Sequence, residues 1–397
     1  MFRGCFRPLR LLQMHWNLTM DDSRAPLRAG CASVNGWRMR GAGMRVTLAV
    51  LALLATGCAT IRRDVPVVPS QSWDGPEETA LGRDYTRELA AYPGQSGIYV
   101  LDDGREAFVA RAALAEAAEH TLDMQYYYIG EDATADILIL RLIRAAQRGV
   151  RVRLLLDDLY AVRHNHDIAT LAGHPKIEVR LFNPFATRGG MGFARLLEFL
   201  GDTARLNRRM HNKAWIADNA IAVIGGRNLG DQYFEAHPDN NFADLDLLIA
   251  GPVVRQLSRS FDDYWNGESA APAEAYLPAK PDVQAFAAFE AELVARLEKF
   301  RDTGYARAVR ETTLAGYARA RKFPLTPATA AAYSDRPQVD VAPAPREPTG
   351  MVQTKLRPLI ESAKKEVAII SPYFIPSEEH GRVRPFTRQP ARQGGHH

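Results

Sequence analysis

From Ile98 onward the chain switches repeatedly between two hydrophobic periods, and this alternation constrains its fold more than any other feature. Residues 104–119 have helical spacing, with Phe108 and Ala112, then Leu114 and Ala118, four apart. Residues 121–129 are apolar and aromatic, as a strand is. Residues 133–148 are helical again and stop at Gly149, 150–156 form a short Val and Leu run ending in Asp157-Asp158, and 177–182 alternate as a strand. This order predicts an α/β fold, a mostly parallel sheet covered by helices. Asp157 and Asp158 then fall at a carboxyl strand end, where sites gather in such folds, although a plain turn explains them as well. Runs at 214–217 and 220–224 joined through Asp218-Asn219 predict a hairpin. A strand over 244–249 and a helix over 253–265 follow.

Composition decides what surrounds this unit. The chain is 46% hydrophobic and 24% charged, which excludes wholesale disorder. Its net charge is +4, but residues 1–43 hold seven Arg against two Asp, and 378–397 hold four Arg against two Glu. The body between is mildly acidic, so no broad basic field exists for nucleic acid to follow, and no specific nucleic-acid partner is expected. Met44 opens a second start: Arg45, an apolar run over 46–55, then Thr56-Gly57-Cys58. A charged residue, a short apolar segment and small residues before a Cys read as a secretory signal. The run is too short for a bilayer, which needs roughly 20 residues. The Gly-Cys junction resembles the lipobox of bacterial lipoproteins, with Ala55 where Leu is commoner. This implies lipidation at Cys58 and a membrane-anchored lipoprotein of the bacterial cell envelope, facing the periplasm. Residues 1–57 are thus expected to be a mis-called extension plus a lipoprotein signal peptide.

Residues 58–97, rich in Pro and polar residues, are expected to form a tether, and 98–270 the complete first half of the protein. Residues 271–350 are rich in Ala, Pro and Arg, with helical stretches over 283–301 and 311–322, and read as an inter-domain connection. A weak repeat follows. Leu114-Ala-Glu116-Ala-Ala118, leading into a strand ending Tyr128-Ile129, is echoed by Leu359-Ile-Glu361-Ser-Ala363, then 367–370 and Tyr373-Phe374-Ile375. A recurring helix-strand unit predicts a two-half architecture. Residues 351–377 then begin a second half that remains a stub, and 378–397 are expected to be a disordered or out-of-frame tail.

Chemistry concentrates in Arg208-Arg209-Met210-His211-Asn212-Lys213-Ala-Trp-Ile-Ala-Asp218, followed by Gly225-Gly226-Arg227-Asn228. His211 and Lys213 are two apart, so on a strand they face one side. An imidazole beside an ammonium suits an anionic phosphate: the nitrogen attacks phosphorus while the cation stabilises the equatorial oxygens. Gly226 allows close backbone approach, and Asn228 offers an amide donor to the same oxygens. Asp218 falls on the opposite face under strict alternation and reads as holding the hairpin. Other candidates have blander readings. His164-x-His166 is a solvated loop before it is a metal site. Arg205, Arg208, Arg209 and Arg227 form a local basic cluster, with a solvated rim as the default. Tyr126–Tyr128 are mainly strand core, with Gln125 or one Tyr lining the site.

The sequence resembles the phospholipase D superfamily, and in Glu119-His-Thr-Leu-Asp-Met-Gln125-Tyr-Tyr-Tyr, Val152-Arg-Leu-Leu-Leu-Asp-Asp158, Val179-Arg-Leu-Phe-Asn-Pro-Phe185, Arg205-Leu-Asn-Arg-Arg-Met-His211 and Asp244-Leu-Asp-Leu-Leu-Ile-Ala-Gly-Pro252 its bacterial C-type cardiolipin synthase branch. The resemblance implies a mixed sheet flanked by helices in two similar halves, no metal and no cofactor. Each half supplies one His-Lys-Asp motif: one His forms a phosphohistidine and the other protonates the leaving alcohol. His211, Lys213 and Asp218 match the first motif. Asp244 is the candidate for orienting the imidazole, with Asp246 as the alternative. The implied activity is phosphatidyl transfer between phosphatidylglycerol-like phospholipids. A second motif is missing. His174-Pro175-Lys176 has Leu181 where the Asp belongs and reads as a loop before a strand. A homodimer is one way to complete the site. Two other classes stay open: a phosphodiesterase or nuclease using the same His with water as acceptor, and an inactive truncated remnant.

Overall fold

A computed structural model describes residues 64–186, 198, 200–201, 203–206, 208–277, 283–320, 322–337 and 351–365. Nine strands form one sheet: β1 (Ser96–Leu101), β2 (Thr121–Tyr126), β3 (Arg151–Asp157), β4 (Ile177–Phe182), β5 (Ala214–Ala217), β6 (Ile221–Gly225), β7 (Asp246–Ala250), β8 (Ala270–Pro272) and β9 (Thr326–Ala328). Their order is β8-β4-β3-β2-β5-β6-β7-β1-β9. Only β2–β3 and β3–β4 pair in parallel. The mostly parallel expectation is therefore corrected. Helical crossovers separate β2, β3 and β4, whereas the β5–β6 hairpin and the flanking strands need none and run antiparallel.

The longer helices are α1 (Ala80–Glu88), α2 (Gly104–Ala117), α3 (Ala133–Gln147), α4 (Asn165–Ala172), α5 (Pro252–Trp265), α6 (Val283–Arg301), α7 (Gly304–Glu311), α8 (Thr313–Ala320) and α9 (Met351–Glu361), with short helical turns between some of the elements. Their starts follow local chemistry. Asp103 accepts from the backbone N–H groups of Arg105 and Glu106 to cap α2, and Asp132 accepts from that of Ala135 to cap α3. Gly149, at φ 99°, ends α3 where a side chain would be strained. The stretch expected as one helix over 311–322 divides because Thr312 is extended and its hydroxyl accepts from the Ala315 N–H.

Strand alternation makes two cores. Leu122, Met124 and Tyr126 of β2, with Val152, Leu154 and Leu156 of β3, face the larger one, into which α2, α3, α4, α6 and α8 pack. Leu155, Ile216 and Ala222 face the smaller one under α5. That second face also buries charge. Arg153 lies between Asp123 (2.7 Å) and Asp262 (2.8 Å), its guanidinium 4.8 Å from the centroid of the Phe261 ring. In the larger core, Arg111 pairs with Asp246 at 2.9 Å and donates to the Tyr126 hydroxyl at 3.0 Å.

Two linker expectations are corrected. Within 58–97, residues 64–73 form a strap across the α5 face of the sheet rather than a tether. Arg153 donates to the Ser70 carbonyl (3.0 Å), Ser72 donates through its N–H and hydroxyl to Asp262, and Trp73 stacks on His120 at 4.3 Å. Within 271–350, β8 and β9 are sheet strands, and α6 and α8 place Leu293 and Leu314 in the larger core. That segment belongs to the same body because its helices cover apolar surface on α2, α3 and α4. The expected strand 367–370, the 378–397 tail, and residues 1–57 with the proposed signal lie outside the described residues.

Candidate active site

Sheet topology brings the chemistry to one edge. The carboxyl ends of β2, β3, β4 and β6 and the amino ends of β5 and β7 all lie there, since each antiparallel neighbour starts where its partner ends. His211 and Lys213 precede β5 at this edge. The His211 imidazole meets the Tyr127 ring edge-on with centroids 4.9 Å apart, and the Lys213 Nζ lies 5.6 Å from the same centroid. Lys213 is buried and its ammonium donates to the His211 carbonyl at 2.6 Å, while His211 is exposed. The two groups thus share one small space walled by one aromatic ring.

Their protonation follows from this placement. Burial and the Lys213 charge lower the His211 pKa, against the pull of Asp244. Burial lowers Lys213 to about 8, opposed by Asp244, Asp157 and Asp246. Near pH 7 the pair is therefore a neutral imidazole beside an ammonium, the charge states that nucleophilic attack on a phosphate needs.

Each of the other sequence candidates has a defined place. Asp218 is fully buried in the β5–β6 turn, where Asp218 and Asn219 take φ of 53° and 50°. Its carboxylate accepts from the N–H groups of Glu119 (2.9 Å), His120 (2.8 Å) and Thr121 (2.8 Å), tying the hairpin to the start of β2. It lies at the far end of β5 from Lys213, so its work is to hold the hairpin. Asp244 precedes β7. A Cβ on Gly226 would lie 2.2 Å from its carboxylate, so glycine there leaves the room that the carboxylate occupies. Asp246 is committed to Arg111 and Arg227 inside the core, which leaves Asp244 as the carboxylate facing His211.

Asn228 fastens two loops: its Oδ1 accepts from the Tyr128 N–H (3.2 Å) and its Nδ2 donates to the Tyr233 hydroxyl (2.9 Å). The basic rim is corrected. Arg227 is buried and donates to the carbonyls of Leu101, Asp102 and Tyr233, and Arg209 to those of Leu206 and Asn183. The Arg208 carbonyl accepts from Asn183, and the Arg205 side chain lies outside the described residues. Gln125 is buried near the carboxyl end of β2, paired in register with Ala214 beside Lys213, and its Nε2 is orphaned. His164 lies 3.7 Å from Glu131, and among the described residues no group of three or more His, Cys, Asp or Glu could hold a metal. The His174 Nδ1 accepts from the Lys176 N–H in a loop before β4. Cys58 lies outside the described residues.

Two residues carry more than sequence reasoning gave them. Asp157, fully buried at the end of β3, accepts from the Met210 N–H at 2.8 Å and clamps the backbone one residue before His211. Its position at a strand end signalled a site, but not this partner. Tyr127 leaves β2, which ends at Tyr126 rather than at 129, and so presents its ring to the pair.

Residues 112–265 match the family model for the PLD-like domain of cardiolipin synthase. The chain is 38% identical over 293 residues to cardiolipin synthase C of Escherichia coli, a match covering 72% of this chain and 59% of that protein. It is 32% identical over 171 residues to cardiolipin synthase A of Pseudomonas entomophila, covering 42% and 33%. Among solved structures, the phospholipase D family member Nuc from Salmonella typhimurium superposes with a TM-score of 0.30 and 18% identity, covering 45% of this chain and 97% of that one. The chain thus spans about three fifths of the first of these relatives. Among the described residues, no helix is long and apolar enough to cross a membrane.

Proposed function

Starting from a chain that carries a cardiolipin synthase PLD-like domain over residues 112–265, we propose that it transfers a phosphatidyl group between phospholipids through a phosphohistidine at His211. The observation that carries this is the shared placement of a neutral imidazole and an ammonium against Tyr127. A ring nitrogen of His211 attacks the phosphorus of a lipid phosphodiester. A nitrogen–phosphorus bond forms, the bond to one ester oxygen breaks, and the departing alcohol takes a proton. Lys213 stabilises the non-bridging oxygens, whose negative charge grows in the transition state. The hydroxyl of a phosphatidylglycerol-like acceptor then attacks phosphorus and releases the imidazole.

The motif occurs once in these 397 residues. A second copy of this chain, bringing its own motif, would supply the acid for the leaving group. Such an acid typically contributes ~10²–10⁴ in rate. A lipid anchor on Cys58, holding the domain at the periplasmic face of a bacterial membrane, suits the same substrates.

The test is incubation with phosphatidylglycerol vesicles, with products read by mass spectrometry. Cardiolipin and free glycerol support the reading. Phosphatidic acid alone makes water the acceptor and the activity that of a phosphodiesterase. No product from the folded protein contradicts it.

A further inference from the structure

A cavity of about 550 Å³ lies against the active-site edge on the larger-core face of the sheet. Tyr127 and Asp157 both line it. The first is the ring that His211 and Lys213 touch, and the second clamps the backbone before His211. One wall of the cavity is therefore the back of the reactive site. The remaining walls come from α3, β3, α4 and α6, through Ile139, Leu154, Ile168, Leu171, Phe289 and Leu293.

Several polar groups of this cavity have partners close by. Arg296 of α6 pairs with Asp136 of α3 at 2.8 Å, His164 lies 3.7 Å from Glu131, and Asp132 accepts from the Asp231 N–H at 2.9 Å. Among the described residues, no orphaned buried polar atom belongs to a side chain lining it. The volume falls within the ~300–1,000 Å³ of ligand pockets, and such pockets are mostly apolar with a few polar groups that set orientation. Carboxylates outnumber cations in the lining, with Glu131, Asp132, Asp136, Asp157 and Asp167 against Arg296 and Lys299. A free fatty acid would bring a further negative charge, whereas an acyl chain esterified to glycerol brings none.

We propose that this cavity holds one acyl chain of the lipid whose phosphorus His211 attacks. The assignment rests on the phosphatidyl-transfer reading and makes it specific. The apolar arm is fixed behind Tyr127 while the phosphodiester sits in front of it, so chain length sets affinity at a point remote from the chemistry. Each buried methylene tightens binding by about fourfold.

The test is photo-crosslinking with phosphatidylglycerol carrying a diazirine in one acyl chain, in vesicles, on the full chain and on His211→Ala. Adducts mapped by mass spectrometry are expected on α3, α4 and α6, centred on Ile139, Leu171 and Leu293, in both proteins. Ile139→Trp, which narrows the cavity along its α3 wall, is expected to cut those adducts and kcat/KM on the lipid at least tenfold, while cleavage of bis(p-nitrophenyl) phosphate stays within twofold. Adducts confined to other surfaces overturn the assignment, as does full lipid activity in a folded Ile139→Trp. Because crosslinking needs no turnover, cavity adducts without product contradict the transfer reading alone, and product without cavity adducts contradicts the cavity alone.

Discussion

The imidazole of His211 and the ring of Tyr127 meet with centroids 4.9 Å apart and planes inclined at 61°. The ring covers one side of the nucleophile and, with Lys213 over it, fixes where the ammonium stands relative to the ring nitrogens. Tyr127→Ala opens that space. Misplacing reacting groups by about 1 Å costs roughly 10²-fold, so kcat is expected to fall by ten- to a hundredfold. Tyr127→Phe, which keeps the wall, is expected to stay within a few-fold of wild type. Steady-state kinetics on phosphatidylglycerol vesicles check both.

The pair also predicts a pH profile. Transfer needs His211 neutral and Lys213 charged. The acid limb then falls below the ordinary imidazole value, and the alkaline limb falls near 8. Asp244 raises both pKa values by its negative charge. Asp244→Asn removes that charge, so both limbs are expected to move to lower pH, seen in kcat/KM against pH. Limbs that stay fixed would show that Asp244 does not act on the pair.

Asp218 separates holding the hairpin from doing chemistry. Asp218→Ala leaves three N–H groups without their acceptor, each costing about 1–3 kcal/mol when buried. The expected result is a clear loss of stability in urea unfolding. The folded Asp218→Asn variant, which keeps one acceptor oxygen, is expected to retain kcat within a few-fold.

The Arg111–Asp246 pair is completely buried at 2.9 Å. Asp246→Ala leaves Arg111 charged and without its anion, a change expected to destabilise the protein by about 3–5 kcal/mol. Denaturant unfolding measures it. Asp244→Ala, at a half-buried position just before the same strand and outside that buried pair, is expected to cost less than Asp246→Ala, about 1 kcal/mol.

Much of this was legible in the residues. Period-2 and period-3.6 runs located Ile177–Phe182, Ala214–Ala217 and Val283–Arg301 at their observed bounds, because those runs are long or flanked by turn residues. Asp218-Asn219 gave the hairpin, since these residues tolerate positive φ. Long-range partners were not legible. Nothing local in Asn228 shows that Tyr128 and Tyr233 occupy its amide, and nothing in Asp157 shows that it meets Met210. The strap read as a tether because its Pro and Ser residues carry turn chemistry, while its anchors, Arg153 and Asp262, lie far along the chain. Periodicity alone pointed to a mostly parallel sheet for the same reason, since pairing direction is set by tertiary contact, whereas the family resemblance implied the mixed sheet that forms.

Rapid mixing with phosphatidylglycerol vesicles, an alkaline quench that preserves phosphoramidates and peptide mass spectrometry test the central claim most directly. A phosphatidyl adduct on the peptide containing His211, present in wild type and absent from His211→Ala, is the predicted result. Turnover with no adduct at His211, or turnover that survives His211→Ala, would contradict it.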